Sequence, residues 1–155
     1  MQQSKDKIIE SYFESIHIVN KFMTIPNDVV RQPIAYGKWS IVEIIGHLIA
    51  WDEIVLEKRM PYILSDQPLP LLPFVELINE QAAKEAFSRS PLEVFGKFIF
   101  TRKALIRQIE RLNEDSWIRE FKINHSTLTF ASYFSGLIQH DKHHFQQCND
   151  YLIGG

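Results

Sequence analysis

The sequence predicts an all-α protein, a four-helix bundle with long crossover connections, and three observations carry that expectation. Four segments repeat apolar side chains at the spacing of one helix face. No stretch alternates apolar and polar residues for long enough to make a sheet. The connections between the helical segments are long and marked by proline and glycine. At 155 residues the chain is long enough for one domain with a real core, spanning 1–155, and short for two.

The first helix is expected over residues 4–23, where Ile8, Ile9, Tyr12, Phe13, Ile16, Val19, Phe22 and Met23 form a stripe. His17 lies beside that stripe with no partner at ligand spacing and reads as a surface residue. Pro26-Asn27 ends the helix, and a loop broken by Pro33 and Gly37 runs to Lys38. Ser40 and Glu43 form a capping box, in which each side chain satisfies a free backbone N–H of the first turn. Trp39 and Ile44 stand at the positions of a hydrophobic staple. Ile41, Ile44, Ile45, Leu48, Val55 and Leu56 then make a buried face, with His47 at its border, and Pro61 is expected to stop the helix.

Four prolines within Pro61–Pro73 predict a fixed, extended crossover. A weaker helical pattern follows from Phe74 to Phe87, built on Phe74, Leu77, Ile78 and Phe87. Ser90-Pro91-Leu92-Glu93 combines an N-cap, a first-position proline and a capping glutamate. It opens a long helix with Phe95, Phe98, Ile99, Leu105, Ile106, Ile109 and Leu112 inward. Arg102 falls in that stripe, where it either meets a carboxylate in the core or snorkels out. Residues 113–127 read as a polar connector, with His125 solvated. The last helix is expected from Phe130 to Tyr151, burying Phe130, Tyr133, Phe134, Leu137, His144, Cys148 and Tyr151.

Composition narrows the function classes. Seventeen basic and nineteen acidic side chains leave a formal charge of −2 with no long run of either sign. That argues against a nucleic-acid footprint or an anionic membrane surface. The single cysteine, Cys148, excludes an internal disulfide and fits a reducing compartment. The polar MQQSKDK start leads straight into a helical pattern and does not read as a signal peptide. The most apolar segment, 41–56, is interrupted by Glu43, His47, Asp52 and Glu53, so it reads as a core helix and not a membrane span. The expectation is a soluble cytoplasmic protein.

The histidines carry the chemistry. His140 and His144 lie four residues apart, offset by about 40° with a rise of about 6 Å, so both can reach one ion. His47 on another helix supplies a third imidazole. A di-iron carboxylate site is disfavoured, because Glu43 precedes His47 by four residues where that motif needs three. Haem ligation would leave one histidine idle, and no CxxCH attachment motif exists. Three neutral imidazoles instead suit a mononuclear divalent ion with open positions for water. The bland alternative is that HDKHH is a solvated helix end, but His144 and Asp141 fall in the apolar stripe, where polar groups need partners. Cys148 is either a fourth ligand or a buried apolar residue. His143 points away from the stripe and reads as exposed or as an outer contact to a ligand. Asp141 points inward, as an acceptor for a ligand N–H or a partner for Arg102. Trp51, Tyr133 and Gly136 are candidates for the walls of a pocket.

Two motifs, W-S-x-x-E-x-x-x-H-L over Trp39–Leu48 and H-[DE]-x-H-H-x-x-Q over His140–Gln147, resemble the DinB/YfiT-like metalloenzymes. The likeness covers nearly the whole chain, including ALIRQIERLNEDSW after the third helix. The resemblance implies a four-helix bundle, often dimeric, with zinc or nickel on His47, His140 and His144. It also implies a thiol-dependent transferase or isomerase using a low-molecular-weight thiol as cosubstrate, or a hydrolase, acting on a small molecule. This sequence departs from the pattern at Phe145 and Gln146, where relatives often carry Arg-Gly. A non-catalytic bundle with structural histidines, acting through dimer contacts, is the alternative reading.

Overall fold

The computed structural model describes residues 3–154. Helix α1 spans Lys5–Phe22, capped by Ser4, whose hydroxyl accepts from the Lys7 N–H. A short α2, Asn27–Val30, interrupts the loop that follows. Helix α3, Ile41–Ile54, opens with both hydrogen bonds of the Ser40–Glu43 capping box in place. It does not stop at Pro61. A π turn over Val55–Arg59 continues it into α4, Met60–Leu64, which contains that proline. The Met60 N–H bonds back to the Val55 carbonyl, five residues earlier. The helix passes the proline because it widens by one residue just before it, where a regular helix would meet a missing donor and a ring clash.

The extended crossover therefore runs from residue 65 to 74. Helix α5, Val75–Phe87, buries Ala83 and Ala86, while Phe74, Leu77 and Phe87 stay exposed. The large residues that mark this helix in the sequence are thus not the ones it buries. The small residues face α3 because the helices approach closely at Gly46, where an added Cβ would collide with that of Ala86. Helix α6, Pro91–Arg111, buries the expected stripe except Ile99, which is half-buried. The polar connector holds a short α7, Glu114–Ile118, and a hairpin of β1, Phe121–Ile123, with β2, Ser126–Leu128. Asn124 takes φ 55° at the hairpin tip, a left-handed conformation that asparagine tolerates. His125 beside it is exposed, as is His17 on α1. Helix α8 runs from Phe130 to Gly154.

Helices α1, α6, α3 and α8 pack as a ring of neighbours, a four-helix bundle, with α5 laid against α3. The core has two apolar halves. One gathers Ile8, Tyr12, Leu105, Ile109, Phe130 and Phe134, and the other Val19, Phe22, Ile45, Phe95, Phe98 and Phe145. Phe145, at the position where relatives often carry arginine, packs against Phe22 and Phe98. Between the halves lies one polar layer. Arg102 on α6 donates to both oxygens of Asp52 on α3 (2.8 and 3.0 Å), to Asp141 on α8, and to the Ser15 hydroxyl on α1 (3.0 Å). Its guanidinium lies over the rings of Tyr12 and Phe98, 4.6 and 4.5 Å from their centroids. Arg102 is 1% exposed, so the carboxylate, not the snorkelling route, holds it. No described helix is long and apolar enough to cross a membrane.

Candidate metal centre

His47 sits two turns into α3, and His140 and His144 one turn apart in α8. The bundle brings one nitrogen from each ring to within 4.8 Å of the others. The Nε2 atoms of His140 and His144 lie 3.1 Å apart. Two imidazoles each about 2.0–2.1 Å from one ion at a near-tetrahedral angle would be separated by roughly 3.3 Å. His140 and His144 therefore stand close to the separation a shared ion sets, and the His47 nitrogen lies within 4.8 Å of both.

Each ring is turned by its second nitrogen. His47 Nδ1 bonds to the Ile44 carbonyl. A carbonyl only accepts, so Nδ1 carries the proton and Nε2 keeps its lone pair. His144 Nδ1 meets Gln147 Oε1 at 3.0 Å, which leaves its Nε2 likewise free. His140 Nε2 faces His144 Nε2 across the 3.1 Å gap. Such outer acceptors fix tautomer and ring orientation in metal-binding histidines. Trp39, the expected staple residue, lies against His47 with ring centroids 4.9 Å apart and covers it from solvent.

The environment keeps the imidazoles neutral. Burial lowers His47 to about 4, helped by His144 and His140 and opposed by the bond to Ile44. Burial followed by the charge of His140 lowers His144 to about 4, and burial also lowers His140. Near neutral pH all three can donate lone pairs.

The other sequence candidates are placed less uniformly. His143 is exposed, its ring 5.3 Å from that of His144. Asp141 is buried and bonded to Arg102, and the acceptor that meets a histidine of the cluster is Gln147. Gln147 stands three residues from His144, a neighbouring position on a helix surface. Cys148 is fully buried in the apolar half next to the site, with its thiol pushed by burial up to about 12, and the three-histidine cluster does not include it. Trp51 donates its indole N–H to Asn79 (2.8 Å) and lines a cavity. Tyr133 lies in the core, its hydroxyl accepting from Arg59 (2.8 Å). Gly136 is exposed, with open space where a Cβ would stand. Glu14 and His17, which have Glu-x-x-His spacing, are both exposed on α1.

Asp52 and Asp141 share the helices of the histidines: Asp52 follows His47 by five residues and Asp141 adjoins His140. By holding both carboxylates, Arg102 ties together the two helices that carry the three histidines. Sequence reading saw Asp52 only as an interruption in an apolar helix, which was the available signal that it needs a buried partner.

Residues 18–148 match the family model of the DinB superfamily. No curated protein matches the chain. Among solved structures, YfiT from Bacillus subtilis, described as a probable metal-dependent hydrolase with an unusual four-helix bundle topology, is similar at a TM-score of 0.76 and 13% identity, over 95% of this chain and 85% of that one. The mycothiol-dependent maleylpyruvate isomerase is similar at 0.68 and 14% identity. That likeness covers 88% of this chain and 57% of the isomerase, so this chain spans little over half of that protein. The colibactin self-resistance protein ClbS, solved in complex with a dsDNA, is similar at 0.72 and 16% identity, over 96% and 95% of the two chains. At these identities the likeness establishes a shared fold.

Proposed function

Because the chain belongs to the DinB superfamily, we propose that it is a metal-dependent enzyme acting on a small molecule, with one divalent transition ion, zinc or nickel, held by His47, His140 and His144. The observation that carries this reading is the convergence of three neutral imidazoles, two of them with the second nitrogen tied to an acceptor. An ion held there supplies Lewis acidity, which lowers the pKa of a bound water or thiol towards neutrality. The chain's own residues do the rest. Ile44 and Gln147 keep the Nε2 atoms of His47 and His144 turned towards the centre. Trp39 shields His47 from solvent. Arg102 holds α3 and α8 at the separation the three rings require.

A thiol as cosubstrate is favoured, giving a transferase or isomerase, and is supported by the thiol-dependent neighbour; the hydrolase neighbour supports water in its place. The reading includes a cytoplasmic location, from the lone cysteine, and a homodimer, supported by outward apolar side chains such as Phe100, 72% exposed. Metal analysis of zinc- or nickel-loaded protein should find one ion per chain, and its absence ends the proposal. With metal bound, turnover of electrophiles only when a low-molecular-weight thiol is added identifies the transferase. Ester or amide hydrolysis without thiol identifies the hydrolase. The ClbS complex makes DNA binding the second reading. The net negative charge favours the small molecule, and titration with duplex DNA at low salt is expected to show no complex.

A further inference from the structure

Beyond the histidines, the end of α3 and its π turn, residues 69–74 of the crossover with Val75 at the start of α5, and the hairpin tip enclose a cavity of about 510 Å³. Volumes of this size are typical of small-molecule sites. Lys58 and Arg59 reach it from the π turn and Lys122 from the hairpin, while Trp51, Leu69, Leu72 and Phe74 supply apolar wall. None of the lining residues is acidic. Among the described residues none of the three cations forms an ion pair, and the side-chain hydrogen bond of Arg59 goes to the neutral Tyr133 hydroxyl. In a chain with more acids than bases, three cations from two separate elements converge on one cavity and leave their charge unanswered. Like charges held together repel, and an anion placed among them removes that cost.

We propose that this cavity binds an organic anion, a carboxylate or phosphate head carried on an apolar body, and forms the recognition end of the substrate site. The head lies among Lys58, Arg59 and Lys122, where guanidinium and ammonium groups give charge-assisted hydrogen bonds. The apolar body lies along the crossover, where Phe74 is 82% exposed and offers surface to cover. Trp51 stands one turn, about 6 Å of helix rise, from His47, so the body runs from the cavity towards the metal centre. This last placement rests on the metal-enzyme reading; anion binding itself does not.

Isothermal titration of EDTA-treated protein with octanoate, octyl phosphate and neutral octanol tests the proposal. Both anions should bind more tightly than octanol, and binding should weaken as salt is added. The stronger of the two heads identifies the substrate class. Lys58 and Lys122 are exposed, so Lys58→Gln/Lys122→Gln should fold normally and weaken the anions by about fivefold or more, leaving octanol unchanged. Lys97→Gln, which removes a cation paired with Glu53 elsewhere, should bind as the unmodified protein does. Octanol binding as tightly as the anions, or undiminished anion binding by the double variant, overturns the proposal. So does a DNA duplex that binds through Lys58 and Lys122 and is not displaced by octyl phosphate. A separate zinc titration keeps the two readings apart: anion binding without zinc binding removes the metal centre and leaves the cavity site standing.

Discussion

Replacing Arg102 by methionine should cost more stability than any other single change in this protein, and the cost should shrink as the solution becomes more acidic. The substitution keeps an unbranched stem but removes the donors to Asp52, Asp141 and Ser15. Both aspartates are buried, at 6% and 7% exposed, and would be left as two carboxylates without a counter-ion. Burial pushes both carboxyls up, and Arg102 pulls them back. Removing one partner of a buried pair typically costs about 3–5 kcal/mol. The upper bound comes from protonation. Neutralising an aspartate of ordinary pKa near 3.9 costs about 4 kcal/mol at pH 7, hence about 8 for two, but only about 3 for both at pH 5. The expected loss is therefore about 4–8 kcal/mol at pH 7, comparable with the whole stability of many domains, falling to about 3 or less at pH 5. The sign follows from linkage. The variant's folded state binds more protons than its unfolded state between these pH values, so its stability falls as pH rises. Urea unfolding followed by circular dichroism at both pH values measures it. Arg102→Met/Asp52→Asn/Asp141→Asn, with no charge left in the layer, should recover stability and lose the pH dependence. A cost below about 1 kcal/mol at pH 7, or an equal cost at pH 5, would refute the reasoning.

Three further outcomes are expected. His47→Ala, His140→Ala and His144→Ala should each severely weaken zinc or nickel binding in isothermal titration, whereas His143→Ala, whose ring is exposed, should cost at most the roughly 10- to 100-fold of an outer contact. Gly46→Ala should destabilise by about 1–3 kcal/mol, since the new Cβ meets Ala86 and lies 3.2 Å from the Ala82 carbonyl; this outweighs about 1 kcal/mol of helix propensity, and Ala86→Gly should rescue it in a double-mutant denaturation series. Cys148, with its thiol raised to about 12, should resist iodoacetamide at pH 8 in the native protein and react once urea unfolds it; rapid native alkylation read by mass spectrometry would contradict its burial.

What could be read from the sequence was what local physics decides. The Ser40–Glu43 box depends on hydrogen bonds spanning three residues, and the helix begins where it predicts. The placing of His140 and His144 on one side of α8 follows from helical rise and turn alone. What escaped depended on contacts between distant elements. The large residues of α5 mark a helix without marking its buried face, which close approach at Gly46 assigns to small residues such as Ala86. Pro61 marks a stop in the sequence, because the π turn that absorbs it has no periodic signature. The three-residue strands of the hairpin are too short to alternate visibly. Arg102 had two open readings until Asp52, fifty residues away, decided between them.

The polar layer also acts as an address. Ser15, Asp52, Arg102 and Asp141 stand at one height in four different helices, with hydrocarbon above and below. Leucine or phenylalanine contacts can be re-formed after a helix slides, since one apolar neighbour substitutes for another. A one-turn slide of α6 would carry the Arg102 guanidinium about 5.4 Å into one of the hydrocarbon halves and strand two carboxylates behind it. Only one longitudinal alignment of the four helices lets all the charges meet, as a single buried polar position selects the register of a coiled coil. That alignment is also the one that sets His47 level with His140 and His144, so the residues that key the bundle's assembly determine, at a distance, whether three imidazoles can share an ion.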